Sequence, residues 1–313
     1  MKHLFILNPT AGSGRRTEQA KTEIARVMSA QGDDWELYET QGVLDAKRKV
    51  RMDADAGTPL RVYACGGDGT LNECVNGAAG IPTVAVTHYP TGTGNDFIKT
   101  FGAGSRHFFD LTSLMDAVAL PIDLIDVSGR LGINICSVGF DARIASSVHR
   151  YKTLPLIGGK TAYRVSLFTN LLLGVGQRFT LEISGKTTEQ DFTLICACNG
   201  KSYGGTFTPV PEAKPDDGLM EILLLKSVSR LAVANLVKRY AEGRYRELPQ
   251  IIKHVQGDAF TVSARHKFPV NLDGEVLYMQ EAVFRMLPGG VQFFAPRQAL
   301  PARESEKTTN YSW

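Results

Sequence analysis

The sequence predicts an α/β N-terminal domain built on a parallel sheet, followed by a mainly antiparallel β domain. Three observations carry this. Residues 1 to about 125 alternate apolar runs with amphipathic helical stretches, the signature of βα units. Three of those runs end in glycine-bearing loops. Beyond about residue 125 the hydrophobic period changes to two, as in Phe179-Thr180-Leu181-Glu182-Ile183, Phe260-Thr261-Val262 and Ala282-Val283-Phe284-Arg285-Met286. Asp217-Gly218 and Asp273-Gly274 add hairpin-type dipeptides to that second half.

Taken in order, Lys2 to Leu7 reads as a strand and Asn8-Pro9-Thr10-Ala11-Gly12-Ser13-Gly14-Arg15-Arg16 as a polar, basic loop. The next helix carries Ile24, Val27 and Met28 on one face, with Gly32 just past its end. Leu60 to Ala64 is a second strand, entering Cys65-Gly66-Gly67-Asp68-Gly69-Thr70-Leu71-Asn72-Glu73 and leaving as a helix. Thr83 to Tyr89 is a third, running into Pro90-Thr91-Gly92-Thr93-Gly94-Asn95-Asp96-Phe97, where Asn95 or Asp96 is placed to cap a following helix. In a parallel sheet these three loops share one edge, the edge where open α/β sheets bind ligands.

The Gly66 to Thr70 turn lets backbone N–H groups approach a ligand with no Cβ in the way, and the helix start suits phosphate. The segment has neither the Lys-Ser/Thr of a P-loop nor the GxGxxG of a dinucleotide fold. Asp68 sits among the glycines instead. A carboxylate repels phosphate unless a metal or a proton transfer is involved, which points to phosphoryl transfer. A plainer reading stands beside it. Thr70-x-x-Glu73 fits a capping box, and Leu71, Cys74, Val75 and Ala78 form an apolar helix face, so the segment also suits an ordinary strand-to-helix turn.

Composition narrows the classes. At 313 residues, 43% hydrophobic and 21% charged, the chain has the makeup of a globular protein with one large or two medium domains. A net charge of +3 gives no case for nucleic acid as a partner. The five cysteines are scattered, Cys196-Ala197-Cys198 is too close for zinc, and the six histidines show no HxxxH or HxH pairing. No GxSxG hydrolase elbow is present. Met1-Lys2-His3 leads straight into a strand, so no signal peptide is expected, and the apolar stretch from Val165 to Val175 falls far below the ~20 residues of a spanning helix. The expectation is a cytoplasmic protein with reduced thiols. Helical exceptions to the β pattern are expected near 160–173 and 230–243, a last strand over Val291 to Pro296, and a loose polar tail from Pro301. Leu154-Pro155-Leu156-Ile157 and Leu171-Leu172-Leu173 fit either core packing or a lipid-facing surface.

The order and spacing of these motifs resemble the diacylglycerol kinase catalytic-domain family, which includes bacterial lipid kinases and is related to sphingosine kinases. NAD kinases share its Gly-Gly-Asp signature. The resemblance spans nearly the whole chain. It rests on Asn8-Pro9 with Gly12 and Gly14, on Gly66 to Thr70 with Asn72-Glu73 and Asn76-Gly77, and on Pro90 to Phe97. It continues through Gly139-Phe140-Asp141-Ala142, Asn199-Gly200-x-x-Tyr203-Gly204-Gly205, Asp216-Asp217-Gly218-Leu219 and Asp273-Gly274-Glu275. Thr206 departs from the pattern, standing where the family usually has a third glycine.

The resemblance implies a nucleotide-binding α/β domain over 1–125 and a β-sandwich lipid-substrate domain over 126–290. It implies an active-site cleft between them, with the segment from about 291 to 313 returning to the first domain. It implies an ATP-dependent lipid kinase that moves the γ-phosphate to a primary hydroxyl, with diacylglycerol as the leading acceptor and phosphatidic acid as product. The alternatives are an NAD kinase and a lipid- or nucleotide-sensing module without turnover. The expected cofactors are ATP and Mg²⁺. The nucleotide-side residues are Asn8, Thr40, Gly66, Gly67, Asp68, Gly69, Thr70, Glu73, Gly92, Thr93 and Asn95, with Ala46 beside Thr40. Glu275 is the expected general base, Asp273 its competitor, and Asp68 the metal-linked carboxylate facing it. A structural Mg²⁺ is expected on the Asp217 carboxylate and the carbonyls of Lys214 and Leu219, since hard oxygen ligands suit it. Asp96, Arg15, Arg16 and Lys99 are further candidates, each with an equally ordinary role as cap or solvated charge. The implied partner is a lipid at the inner face of the membrane, met peripherally, and a homodimer is compatible with the family.

Overall fold

The structure is a computed structural model that describes residues 1–12, 14–54, 57–152 and 176–300. The expected helix near 160–173, the apolar stretches at 154–157, 165–175 and 171–173, and the tail from Pro301 lie outside them. The chain divides into two compact units. One comprises Met1–Leu124 and the described residues from Pro288 on; the other is Ile125–Leu287.

The first unit is an α/β layer structure. Its strands are β1 (Lys2–Leu7), β2 (Asp34–Glu39), β3 (Leu60–Gly66) and β4 (Val84–Pro90), with helices α1 (Gly14–Gln31), α2 (Asp45–Ala54) and α3 (Asp68–Ala78) between them. A 3₁₀ stretch (Phe97–Phe109) and the short α4 (Leu111–Met115) follow β4, and then β5 (Ala117–Val127) begins. The ladder runs β4, β3, β1, β2, parallel throughout. Residues Gln292 and Phe293 of the last strand add a further parallel neighbour beside β4.

β3 and β4 are buried almost end to end, as parallel strands covered on both faces must be. Phe5 stacks on Tyr63 at 4.2 Å between ring centroids, and Phe294 meets Tyr63 edge-on. α1 presents Ala20, Ile24, Val27 and Met28 to this core and stops at Gly32, whose φ of +74° and bond from its N–H to Met28 O close the last turn. The strand register sets where the loops emerge. Leu7 lies opposite both Glu39 and Cys65, and Cys65 opposite Tyr89, so the four strands end in one row.

The second unit is antiparallel. Its strands are β6 (Arg130–Gly132), β7 (Ile135–Gly139), β8 (Gln177–Ile183), β9 (Lys186–Cys198), β10 (Met220–Lys226), β11 (Ile252–Gly257), β12 (Ala259–Leu272) and β13 (Glu275–Pro296), with helices α5 (Phe140–Lys152) and α6 (Arg230–Ala241). α6 occupies the helical exception expected near 230–243. β9 and β12 are the spine: each pairs with β8 along one part of its length and with β7 along another. Phe179, Phe192, Phe260, Phe268 and Phe284 fill the shared core.

Three expectations need correcting. The last strand does not start at Val291; β13 runs unbroken for 22 residues from Glu275. Within it Gly289, at φ +59°, donates its N–H to Asp123 Oδ1 at 2.7 Å and the strand carries on. Asp217-Gly218 is not a hairpin turn. It belongs to the long connection between β9 and β10. Asp273-Gly274 is one, with φ of +50° and +97° joining β12 directly to β13. Finally, Thr70 and Glu73 form no capping box. α3 starts at Asp68, its N-cap is Gly67, and no side chain caps it.

Candidate active site

The row of strand ends in the first unit opens into a cavity of about 370 Å³. Its walls are the loops after β1, β2, β3 and β4: Asn8, Ala11 and Gly12; Thr40, Gly42 and Ala46; Gly67, Asp68, Gly69, Thr70 and Glu73; Gly92, Thr93 and Gly94. Nine of the nucleotide-side residues expected from sequence line it. Gly66 and Asn95 do not; they hold the loops instead. Gly66 O accepts the amides of Thr91 and Gly92 at 3.0 and 2.9 Å. Asn95, at φ +52°, donates Nδ2–H to Gly92 O at 3.0 Å.

The loops pack backbone against backbone. A Cβ on Gly12 would sit 2.2 Å from Thr91 O, one on Gly92 2.5 Å from Gly67 Cα, and one on Gly94 2.4 Å from Asp68 Oδ2. Sequence reasoning includes Gly94 only as part of the candidate Gly92 to Asn95 loop and passes over Gly42. The Gly-x-Gly spacing in 92–94 is the available signal for the first. For Gly42 no local signal exists, because only the row of strand ends brings it to the cavity.

Asn8 organises the first loop. Its Oδ1 accepts Thr10 N–H, and its Nδ2 reaches Thr70 Oγ1 at 3.3 Å. Glu73 has a role that its local sequence does not show. Its two carboxylate oxygens accept Leu44 N–H at 2.9 Å and Ala46 N–H at 3.1 Å, so it caps α2 from a distance and fixes the Thr40 to Ala46 wall.

Asp68 is half-buried against the second loop, where its Oδ1 accepts Asp96 N–H. Burial, reinforced by the Asp96 carboxylate, pushes its pKa up. Asp96 precedes the 3₁₀ stretch but makes no side-chain cap; its carboxylate takes the Lys99 ammonium instead. Among the described residues, no lysine or arginine lines the cavity, while Asp68 and Glu73 do.

The second unit holds the other candidates. Asp273 closes the β12–β13 turn: its carboxylate accepts the amides of Ile133, Asn134 and Ile135 at 2.7, 3.0 and 2.9 Å. Glu275 is half-buried and pairs with Arg130 at 3.2 Å. Asp217 is exposed, and its Oδ1 accepts Leu219 N–H at 3.1 Å, a local turn over 217–219. Thr206 sits in the exposed turn between Tyr203 and Phe207, whose backbones bond each other in both directions. Among the described residues, no group of three or more His, Cys, Asp or Glu is arranged to hold a metal, and no helix is long and apolar enough to cross a membrane.

A glycine cradle at the edge of a parallel sheet, in a chain that continues into an antiparallel unit, defines a class that the comparisons make specific. Residues 2–127 match the diacylglycerol kinase catalytic domain, and residues 134–295 match the YegS C-terminal NAD kinase beta sandwich-like domain. The chain belongs to the diacylglycerol kinase catalytic-domain family. It is similar to proteins named "Putative lipid kinase" from Staphylococcus aureus. One from strain Mu3 is 25% identical over 293 residues and one from strain Newman 25% over 300, each match covering 93% of both chains. Among solved structures it resembles "A putative diacylglycerol kinase from Bacillus anthracis str. Sterne", with a TM-score of 0.74 at 23% identity over 96% of this chain and 98% of that one. A second Bacillus anthracis diacylglycerol kinase structure has a TM-score of 0.71 at 22% identity, over the same shares.

Proposed function

We propose that the protein is an ATP-dependent lipid kinase whose leading acceptor is the primary hydroxyl of diacylglycerol, giving phosphatidic acid. The observation that carries it is the cavity itself. Its walls are rich in glycine backbone, which at Gly12, Gly92 and Gly94 is too close-packed to admit a Cβ, and its charged residues are two carboxylates with, among the described residues, no basic side chain in the lining. Amide-rich walls suit phosphate oxygens. Two carboxylates without a basic side chain suit them only when a divalent cation comes with the nucleotide, and Glu73 is already committed to α2. Asp68 is thus the residue that would meet that cation, and Mg²⁺, when bound, would supply the charge neutralisation that phosphoryl transfer needs.

In this reading the loops position the triphosphate. The acceptor oxygen attacks the γ-phosphorus, the bond to the β-phosphate oxygen breaks, and ADP leaves. Glu275 takes the hydroxyl proton as general base, and its pairing with Arg130 orients the carboxylate for that role. Asp273, already bonded by three backbone amides, serves the turn that presents Glu275. A second Mg²⁺ on the Asp217 carboxylate and the Lys214 and Leu219 carbonyls would order the segment before β10; one exposed carboxylate with flanking carbonyls is a hard oxygen set that fits it. The protein would meet its substrate at the cytoplasmic face of the membrane without spanning it.

The test is transfer of labelled γ-phosphate from Mg-ATP to a panel of lipids in mixed micelles, with NAD as a soluble acceptor. Label on one lipid, lost in Glu275→Ala and Asp68→Ala, supports the reading and names the substrate. Label on NAD alone, or undiminished transfer in Asp68→Ala, refutes it.

A further inference from the structure

The first two amides of the second glycine loop meet a single carbonyl. Besides the amides of Thr91 and Gly92, Gly66 O receives a third donor, Nε2 of His88, at 3.1 Å. A carbonyl oxygen has two lone pairs, so three donors more than saturate it. His88 is completely buried in β4, in a strand otherwise rich in apolar residues such as Val84, Ala85 and Val86. Because Gly66 O can only accept, Nε2 carries the proton. Nδ1 is then a bare acceptor, and it has no hydrogen-bond partner. Burial pushes the imidazole pKa down, outweighing the Asp68 carboxylate and the Gly66 bond that pull it up, which favours the neutral ring. An apolar side chain would fill this space without stranding a nitrogen in the core. What histidine adds is the bond to Gly66.

That bond sits at the joint between the two loops. Gly66 leads into Gly67 and Asp68; Thr91 and Gly92 lead to Gly94, which abuts Asp68 Oδ2, and to Asp96, whose amide bonds Asp68 Oδ1. We infer that His88 is a positioning residue: by donating Nε2–H to the Gly66 carbonyl it sets the register of the 91–94 loop against the 66–70 loop, and so the place of Asp68 in the cavity. This deepens the phosphoryl-transfer reading and, as a statement about catalysis, rests on it.

Two substitutions separate positioning from packing. His88→Gln keeps an N–H donor on a side chain of similar reach; His88→Leu keeps the volume and removes the donor. In His88→Leu, amide exchange at Thr91 and Gly92 is expected to quicken about tenfold, and the KM for Mg-ATP to rise about tenfold with a smaller change in kcat. His88→Gln should stay within about threefold of wild type in both. If His88 merely fills the core, the order reverses, with Leu behaving as wild type and Gln as the damaged variant; that result overturns the inference. Should both variants fail to fold, ¹⁵N-histidine NMR of the wild type decides it. A neutral Nε2–H tautomer with a protected proton is required, and an Nδ1–H tautomer refutes it. Wild type that transfers no phosphate would sink the functional reading alone, leaving exchange and tautomer to judge His88.

Discussion

Gly92→Ala tests the cradle directly. The added Cβ would lie 2.5 Å from Gly67 Cα and 2.8 Å from Gly67 N, both backbone atoms with no rotamer to escape into. Reaching an ordinary contact of 3.4 Å requires the loops to part by about 0.9 Å (3.4 − 2.5). A movement of that size along the bonds from Thr91 and Gly92 to Gly66 O, now 3.0 and 2.9 Å, takes both beyond hydrogen-bonding distance. Two lost hydrogen bonds at ~1 kcal/mol each, or overpacking strain of ~1–3 kcal/mol if the loops resist, give about 2–3 kcal/mol. At ~2–4 °C per kcal/mol for a unit of this size, the melting temperature should fall by roughly 5–10 °C. A misplacement near 1 Å in the phosphate site should also weaken Mg-ATP binding by roughly 10–100-fold. The assays are differential scanning calorimetry and titration calorimetry with Mg-ATP. Gly69→Ala is the stability control: nothing lies within 4 Å of its Cβ, and it falls inside α3, where alanine is favoured over glycine by ~0.5–1 kcal/mol. Gly92→Ala melting and binding as wild type would refute the reasoning.

Glu73→Ala removes both acceptors that hold the start of α2 and should destabilise the first unit by about 1–2 kcal/mol, read as a lower urea midpoint, with weaker Mg-ATP binding as the Thr40 wall loosens. Leu44 is 43% exposed at φ +64°, so Leu44→Gly should relieve backbone strain at little loss of burial and raise stability by about 0.5–1 kcal/mol in thermal melts. Burial pushes Asp141 up to about 6, against the bond it accepts from Ser137 Oγ–H. An acid raised in the folded state favours folding below its unfolded pKa and loses that contribution as pH climbs through the folded value. Asp141→Asn should therefore change stability little near pH 3.5 and stabilise the second unit increasingly from about pH 4 to 7, by up to about 2–3 kcal/mol, followed by urea denaturation across that range.

Much of this architecture is readable in the chain because local and long-range preferences agree. The runs 60–64 and 83–89 are mainly apolar, as strands covered on both faces tend to be, and 179–183 alternates, as a half-covered strand must. The three glycine loops could be placed on one edge because consecutive βα units leave no other arrangement. The misreadings come where a distant partner outweighs the neighbourhood. Thr70 and Glu73 have capping-box spacing, but Glu73 finds its amides on α2. The last strand begins well before Val291, and the Asp123 carboxylate takes the Gly289 amide within it. Asp273 and Glu275 stand alike in sequence as candidate acids; in the structure three amides from 133–135 converge on Asp273, while Glu275 pairs with Arg130. Nothing in the string Val84 to Pro90 shows that His88 turns toward a glycine carbonyl.

The return of β13 to the first sheet has a consequence for how the protein is made. Gln292 and Phe293 pair with β4, Phe294 packs on Tyr63, and Phe293 on Phe97 and Phe101. A ribosome delivers β1 to β4 early and these partners only after the whole of Ile125–Leu287 has emerged. At ~5–20 residues per second that delay is roughly 10–30 s. Throughout it the nascent first unit lacks an edge strand and two of its core phenylalanines. The intervening unit, contiguous in sequence, has no such wait. Synthesis order and structural order are thus inverted: the segment translated second can close first, and the one translated first depends on the last strand to be made.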